Sequence, residues 1–378
     1  MKIAINCAFF QPQGGGIKEY IQNLVENLSK IDNENEYVLY VLEDHLEYAK
    51  ENLRCRFRIK PMPFKGKNVV NAIIRSAFEQ FFWRREEKRE KWDVFHSPFF
   101  HGPNLKKTPM ILTVHDMRFF RFPKTYTFLR YQFLKYAVKK SIKRAAHVIS
   151  ISQFTKEEIV EAYGSPREKI TVIHEAINND HFSEQRLADE EDRKIAYKLS
   201  KGKFLLTVGH LEPRKNYNRL ISAFENMSLE SADKPYLVIV GKKGHNYDDT
   251  LRLINANDHI LYLNFVSQPL LNWLYRNAEF FVFPSFYEGF GFPPLEAATH
   301  GTISAVSNLS SIPEICGDAA VYFNPFDEND ITRQLCQLYT DSGLRSSLKA
   351  SLETQLNKFS WRKNAMETIG IYKNITNG

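Results

Sequence analysis

The chain has 378 residues, of which 43% are apolar, 13% aromatic and 25% charged. At about 150 residues per domain that is enough for two or three domains with proper cores, which excludes a single small module and a disordered chain. The formal net charge of +7 is unevenly spread, with 30 Lys+Arg against 21 Asp+Glu in residues 1–180 and 21 against 23 in the remainder.

Lys2 to Ala8 reads as a short strand that enters a turn at Gly14, Gly15 and Gly16. Behind the turn Ile17, Tyr20, Ile21, Leu24 and Leu28 recur at helical spacing, so a helix starts there. Further compact apolar runs follow at Tyr37 to Leu42, Asp93 to His96, Met110 to His115 and His147 to Ile151. Their alternation with helical segments predicts a parallel sheet wrapped by helices. The basic excess lies in Arg54 to Lys67, Arg84 to Lys91 and Lys135 to Arg144. Such patches attract nucleic acid, an anionic membrane surface or a phosphorylated substrate. In Arg84 to Lys91 acids alternate with bases, which is also the pattern of a solvated helix face. From Phe128 to Ala146 the apolar Phe128, Phe133, Ala137 and Val138 interleave with Arg130, Lys135, Lys139, Lys140, Lys143 and Arg144. That spacing predicts a basic amphipathic helix, either lying on lipid or half-buried against the sheet.

Asn178 to Lys203 is polar and reads as a connection between domains. The alternation then restarts with Phe204 to Val208, a helix around Arg219 to Phe224, Leu237 to Gly241, His259 to Phe265, a helix around Leu270 to Asn277, and Phe280 to Pro284. Two successive α/β units are expected. No apolar run approaches the ~20 residues of a membrane-spanning helix. The N-terminus shows no cleavage pattern, so secretion is not expected. Cys7, Cys55, Cys316 and Cys336 are scattered, which fits free thiols in a reducing, cytoplasmic setting and no metal site.

Ligands of parallel sheets sit beyond the carboxyl ends of the strands, so the post-strand segments are where chemistry is sought. After Phe280 to Pro284 comes a glycine-containing loop and then a helix opening near Pro293 and Pro294 and ending by Gly301. Glu288 lies in the loop and Glu296 one helical turn in. Each carboxylate accepts from two hydroxyls at once and suits a diol, while the helix N-terminus and loop amides suit an anion. The plain alternative is that Glu288 caps the helix and Glu296 is surface charge. After Phe204 to Val208, Arg214 and Lys215 are placed to neutralise a diphosphate, or form a solvated basic loop. The Gly14 to Gly16 turn lacks both the G-x-G-x-x-G spacing and a following Gly-Lys-Ser/Thr, so nicotinamide and P-loop readings fail. His115, just past a strand, suits a hydrogen bond to a substrate hydroxyl or a proton transfer, with Asp116 as a candidate orienting partner.

Taken together these residues resemble the retaining glycosyltransferases of family 4, which have two Rossmann-like α/β domains facing each other across a cleft, the GT-B architecture. Glu288 and Glu296 carry the family's two-glutamate spacing. Other landmarks in the family's order are the glycine turn, Val114-His115-Asp116, Ile149 to Ser152, Leu211 to Asn216, Val238 to Gly244, Ser310 to Glu314 and Phe359 to Trp361. The resemblance implies an acceptor domain at 1–180, a nucleotide-sugar domain at 181–358 and a C-terminal helix at 359–378 crossing back to the first. It implies that Arg214 and Lys215 hold the diphosphate and stabilise the leaving group. Glu288, with the amides of Gly289, Phe290, Gly291 and Phe292, contacts the transferred sugar, and Glu296 takes the ribose hydroxyls. His115 reaches the donor sugar, and Gly14, Gly15 and Gly16 let the first loop approach. Many relatives carry Arg where this chain has His210, so Arg214 is expected to supply that charge. No metal and no cofactor beyond the nucleotide sugar is implied. The leading donor is GDP-mannose and the acceptor a saccharide or lipid-linked saccharide, with contact to anionic membrane and none with nucleic acid. A sugar-nucleotide epimerase of the same shape is the alternative, and a basic nucleic-acid-binding protein a remote one.

Overall fold

The computed structural model describes residues 1–64, 72–177, 186–228 and 234–377, with the backbone alone at 72–77. Two compact units emerge: Met1–Ala176 with Ser360–Gly378, and Ile177–Phe359. The expected boundary at 180/181 lies outside the described residues, as do Lys65 and Lys67 of the first basic patch.

The first unit carries seven strands: β1 (Lys2–Asn6), β2 (Glu36–Leu42), β3 (Arg58–Met62), β4 (Val94–Ser97), β5 (Met110–Val114), β6 (His147–Ser150) and β7 (Ile170–Val172). They lie in the order 3-2-1-4-5-6-7 and every pairing is parallel. The second unit carries β8 (Phe204–Val208), β9 (Tyr236–Val240), β10 (Ile260–Leu263), β11 (Phe280–Phe283), β12 (Ser304–Ser307) and β13 (Ala320–Phe323). Their order is 10-9-8-11-12-13, again wholly parallel. Helices cover both faces of such sheets, so β4, β5 and β11 are buried throughout; β11 reads as an unbroken apolar run, while β5 carries Thr113 and β4 ends on the buried His96 and Ser97. In each unit the strand order reverses beside the first strand, between β1 and β4 and between β8 and β11. A crevice at the carboxyl ends of those strands is where such sheets bind ligands.

Four strands carry no signal in the sequence reading. β3 (Arg-Ile-Lys-Pro-Met) is an edge strand whose charges and Pro61 mask it, and β7 is only three residues long. β13 is an edge of the second sheet, and β12 is Ser-Ala-Val-Ser, too polar to register although every residue is buried. The polar stretch from Asn178 to Lys203 is not all connection. Its 178–185 part lies outside the described residues, but Glu190–Leu199 is a helix capped by Asp189, whose carboxylate accepts from the amides of Glu191 (2.8 Å) and Asp192 (3.3 Å). Ala196 and Leu199 take that helix into the core of the second unit.

The last helix, Trp361–Asn377, belongs to the first unit. Tyr372 reaches His96 Nδ1 at 2.7 Å, and Asn364 Nδ2 donates to the carbonyl of His174 at 2.8 Å. His96 Nε2 meets Thr113 Oγ1 at 2.8 Å, so a buried polar chain ties the terminal helix to β4 and β5. Burial pushes the His96 ring down to about 3, which keeps it neutral.

Candidate active site

In the second unit the site begins where β8 ends. Gly209 (φ 154°) and Gly241 (φ 152°) turn the chain out of β8 and β9, and a Cβ on Gly241 would stand 2.1 Å from the carbonyl oxygen of Gly209. Only glycine permits that approach. A short turn, Pro213–Lys215, follows, closed by Asn216 at φ 57° with its side-chain amide donating to the carbonyl of Pro325 at 2.8 Å. The turn aims Lys215 inward. Its Nζ lies 4.6 Å from the centroid of the Phe283 ring and 2.8 Å from Glu288 Oε1. Arg214 Nη1 contacts the same oxygen at 2.7 Å and donates to the carbonyl of Tyr287 at 2.6 Å. Its Nη2 and Nε donate to Glu212 Oε1 at 2.5 and 3.1 Å. Two cations and two carboxylates, all largely buried, therefore balance one another.

Glu288 sits on the loop after β11, held by residues whose role was not apparent in the sequence. Ser310 Oγ accepts from the Glu288 amide at 3.1 Å, and Ser311 Oγ donates to the carbonyls of Glu288 (3.0 Å) and Phe290 (2.6 Å). Gly291, at φ 115°, then starts the helix Phe292–Thr299 with prolines in its first turn. The N-cap residue Gly291 offers no side chain, and the Glu288 carboxylate is instead engaged by Arg214 and Lys215. Glu296 accepts from the Tyr275 hydroxyl at 2.8 Å. The two carboxyls are tuned apart. Burial works against charge on Glu288, but Lys215 and Arg214 overcome it and hold the carboxyl below its usual range. For Glu296 burial prevails over the Tyr275 hydrogen bond and Lys215, and its carboxyl is pushed up. Burial, with Arg214 alongside, pulls the Lys215 ammonium down against the pull of Glu288. His210 is exposed, and the charge at this turn comes from Arg214 and Lys215.

In the first unit His115 follows β5. Its Nδ1 lies 2.7 Å from Glu175 Oε1 and its Nε2 3.2 Å from the carbonyl oxygen of Pro98. Asp116 is not its hydrogen-bonding partner, because that carboxylate turns back to accept from the amide of Arg118 at 2.9 Å. Sixty positions separate Glu175 from His115, and only the β5-β6-β7 pairing brings them together. The glycine turn divides by role. Gly14 is needed sterically, since a Cβ there would meet the Phe9 carbonyl oxygen at 2.3 Å and Lys18 Cβ at 2.7 Å; Gly15 is needed for its φ of 59°; a Cβ on Gly16 would meet open space.

The acids of the Arg84 to Lys91 run face inward, not to solvent. Glu86 pairs with Lys60 at 2.6 Å, Glu90 with Lys2 at 2.7 Å, and Glu87 accepts from the amides of residues 106, 107 and 108. The helix Phe128–Arg144 has two apolar faces. Val138 and Ile142 are buried, whereas Phe128 (72% exposed), Leu129, Phe133 and Tyr136 point outward among Lys139, Lys140, Lys143 and Arg144. Phe133 is exposed and Val138 buried, the two lying about 140° apart around the helix. No described helix is long and apolar enough to cross a membrane. Among the described residues no group of three or more His, Cys, Asp or Glu side chains is arranged to hold a metal ion.

The family described as Glycosyltransferase Family 4 matches residues 14–181, and the family described as Glycosyl transferases group 1 matches residues 188–354. The chain belongs to the family 4, group 1 glycosyltransferases. The O-antigen chain mannosyltransferase B of Escherichia coli is 29% identical to this glycosyltransferase over 295 residues, 76% of this chain and 77% of that protein. The serotype-specific mannosyltransferase WbdA of Escherichia coli is 33% identical over 233 residues, 59% of this chain but 28% of that longer protein. A crystal structure of a glycosyltransferase from Rickettsia africae ESF-5 has a TM-score of 0.74 at 16% identity, covering 99% of this chain and 98% of that one. That likeness is one of fold, the GT-B fold of two Rossmann-like units.

Proposed function

We propose that this glycosyltransferase moves mannose from GDP-mannose to a saccharide or lipid-linked saccharide of a bacterial-type surface polysaccharide, with retention and without a metal ion. The observation that carries the reading is the convergence of Arg214 and Lys215 on one carboxylate oxygen of Glu288 at 2.7 and 2.8 Å. Its choice of donor leans on the mannosyltransferase relatives.

The departing nucleoside diphosphate gains negative charge as the glycosidic bond breaks, and fixed cations in a dry site stabilise it without reorganisation. Lys215 and Arg214 supply that charge. Glu288 keeps them in place before the donor arrives and accepts from sugar hydroxyls afterwards, with the amides of Gly289 to Phe292 alongside. Glu296 accepts from the ribose hydroxyls, held by Tyr275. His115 donates to an oxygen of the donor sugar, and Gly16 gives the first loop its close approach. The departing phosphate oxygen takes the acceptor's proton, and no protein nucleophile is assigned. The outward face of Phe128–Arg144, with aromatic rings among cations, suits the anionic membrane in which a lipid-linked acceptor sits.

The test is transfer from a panel of GDP-, UDP-, ADP- and TDP-sugars to lipid-linked and free saccharides, with and without a chelator, reading product anomericity by NMR. Transfer confined to GDP-mannose, undiminished by chelation and giving the α-anomer, is expected. Transfer only from another donor removes the mannose assignment, and an epimerised nucleotide sugar formed from donor alone establishes the epimerase reading instead.

A further inference from the structure

The imidazole of His115 is held between two acceptors. Nδ1 meets the Glu175 carboxylate at 2.7 Å and Nε2 meets the Pro98 carbonyl oxygen at 3.2 Å. A carboxylate and a carbonyl accept but do not donate, so the two contacts together favour the doubly protonated, charged form of the ring. Glu175, 2% exposed, is fixed on the segment that follows β7, and Tyr20 stands edge-on against the ring with centroids 4.8 Å apart. The remaining groups around it leave Glu175 as its main counter-charge. Asp116 is the next carboxylate in the chain, and the His96 ring is buried and neutral, engaged with Tyr372 and Thr113. Burial favours the neutral form of His115, and the Glu175 hydrogen bond and charge more than reverse that.

We infer that Glu175 is the positioning residue of the transfer reaction: it locks His115 through Nδ1 and keeps the ring charged, so that Nε2 presents a charge-assisted N–H to an oxygen of the donor sugar. This rests on the role given to His115 above. The Glu175 contact is short and charge-assisted, whereas the Pro98 carbonyl is a neutral acceptor at 3.2 Å that a sugar oxygen can replace without leaving a buried charge unpaired. Glu175 itself touches neither sugar nor phosphate in this scheme.

The experiment uses the full chain with ¹⁵N-labelled histidine rings, His115 being assigned by the signal lost in His115→Gln. Ring shifts are followed from pH 5 to 9 in the wild type, Glu175→Gln and Glu175→Asp. The His115 midpoint is expected to fall by about one pH unit or more in Glu175→Gln and to be largely restored in Glu175→Asp. In parallel, the alkaline limb of kcat/KM for transfer from GDP-mannose should move down by the same interval, so that Glu175→Gln falls progressively behind the wild type as pH rises from 6 to 9, by up to about tenfold for each pH unit that the midpoint moves. An unchanged midpoint in folded Glu175→Gln overturns the inference, as does a loss of rate equal at every pH. Should the wild type transfer no sugar, the functional reading fails, while the ring titration still decides whether Glu175 governs His115.

Discussion

Lys215 and Glu288 are 73 positions apart in the chain, yet their charged atoms meet at 2.8 Å. They follow β8 and β11, which pair side by side through Leu205 with Phe280 and Leu206 with Phe281. The parallel order of the second sheet therefore builds the ion pair at the point where the strand order reverses.

Removing one partner of a buried pair leaves the other charge uncompensated, at a cost of about 3–5 kcal/mol. Arg214 remains beside Glu288, so Lys215→Ala should cost at most the lower end of that range in urea unfolding. Its kcat for transfer should fall by about 10²–10³, the loss typical of one fixed charge-stabilising donor. A variant retaining a tenth or more of the wild-type rate refutes the leaving-group role of Lys215.

The pH dependence of stability should report Glu288. Its folded carboxyl titrates below the unfolded range, so its contribution is complete above the unfolded value of about 4.3 and is lost as pH falls through the folded value. The stability difference between the wild type and Glu288→Gln should be constant above about pH 6 and shrink toward pH 3. Glu296, shifted the other way, is present in both proteins and cancels from the comparison. A difference that grows on acidification contradicts the ion pair.

The glycine turn allows packing and ligand approach to be separated. A Cβ on Gly14 would drive into the Phe9 carbonyl, so Gly14→Ala should lose about 1–3 kcal/mol of stability. Gly16→Ala meets nothing and should unfold with the wild type. If the first loop approaches the donor, Gly16→Ala should nonetheless raise KM for the nucleotide sugar. An unchanged KM would show that the loop keeps its distance.

The outward face of Phe128–Arg144 predicts vesicle binding that needs both components. The wild type should sediment with vesicles containing anionic lipid and not with neutral ones, and raised salt should release it. Replacing Phe128 and Leu129 by Ser, or Lys139 and Lys140 by Glu, should weaken sedimentation while leaving the melting temperature near that of the wild type, because all four side chains are exposed. Equal recovery with neutral and anionic vesicles rules out electrostatic docking.

The sequence by itself determined the two α/β units and where their chemistry lies. Strands buried on both faces leave unbroken apolar runs, and turns that need glycine or proline leave them at set places, so β8, β11, the Arg214-Lys215 turn and the Glu288 loop can be read locally. Only the tertiary structure decided which groups meet. Glu175 reaches His115, where Asp116, adjacent in sequence, turns to its own backbone; Ser310 and Ser311 hold the Glu288 loop; and the aromatic side of Phe128–Arg144 faces out while Val138 faces in. β3, β7, β12 and β13 were equally illegible, being short, polar or at an edge. Periodicity along a chain records which residues are buried. Which charge lies within hydrogen-bonding distance of which is set by strand order across the sheet, and strand order leaves no period in the sequence.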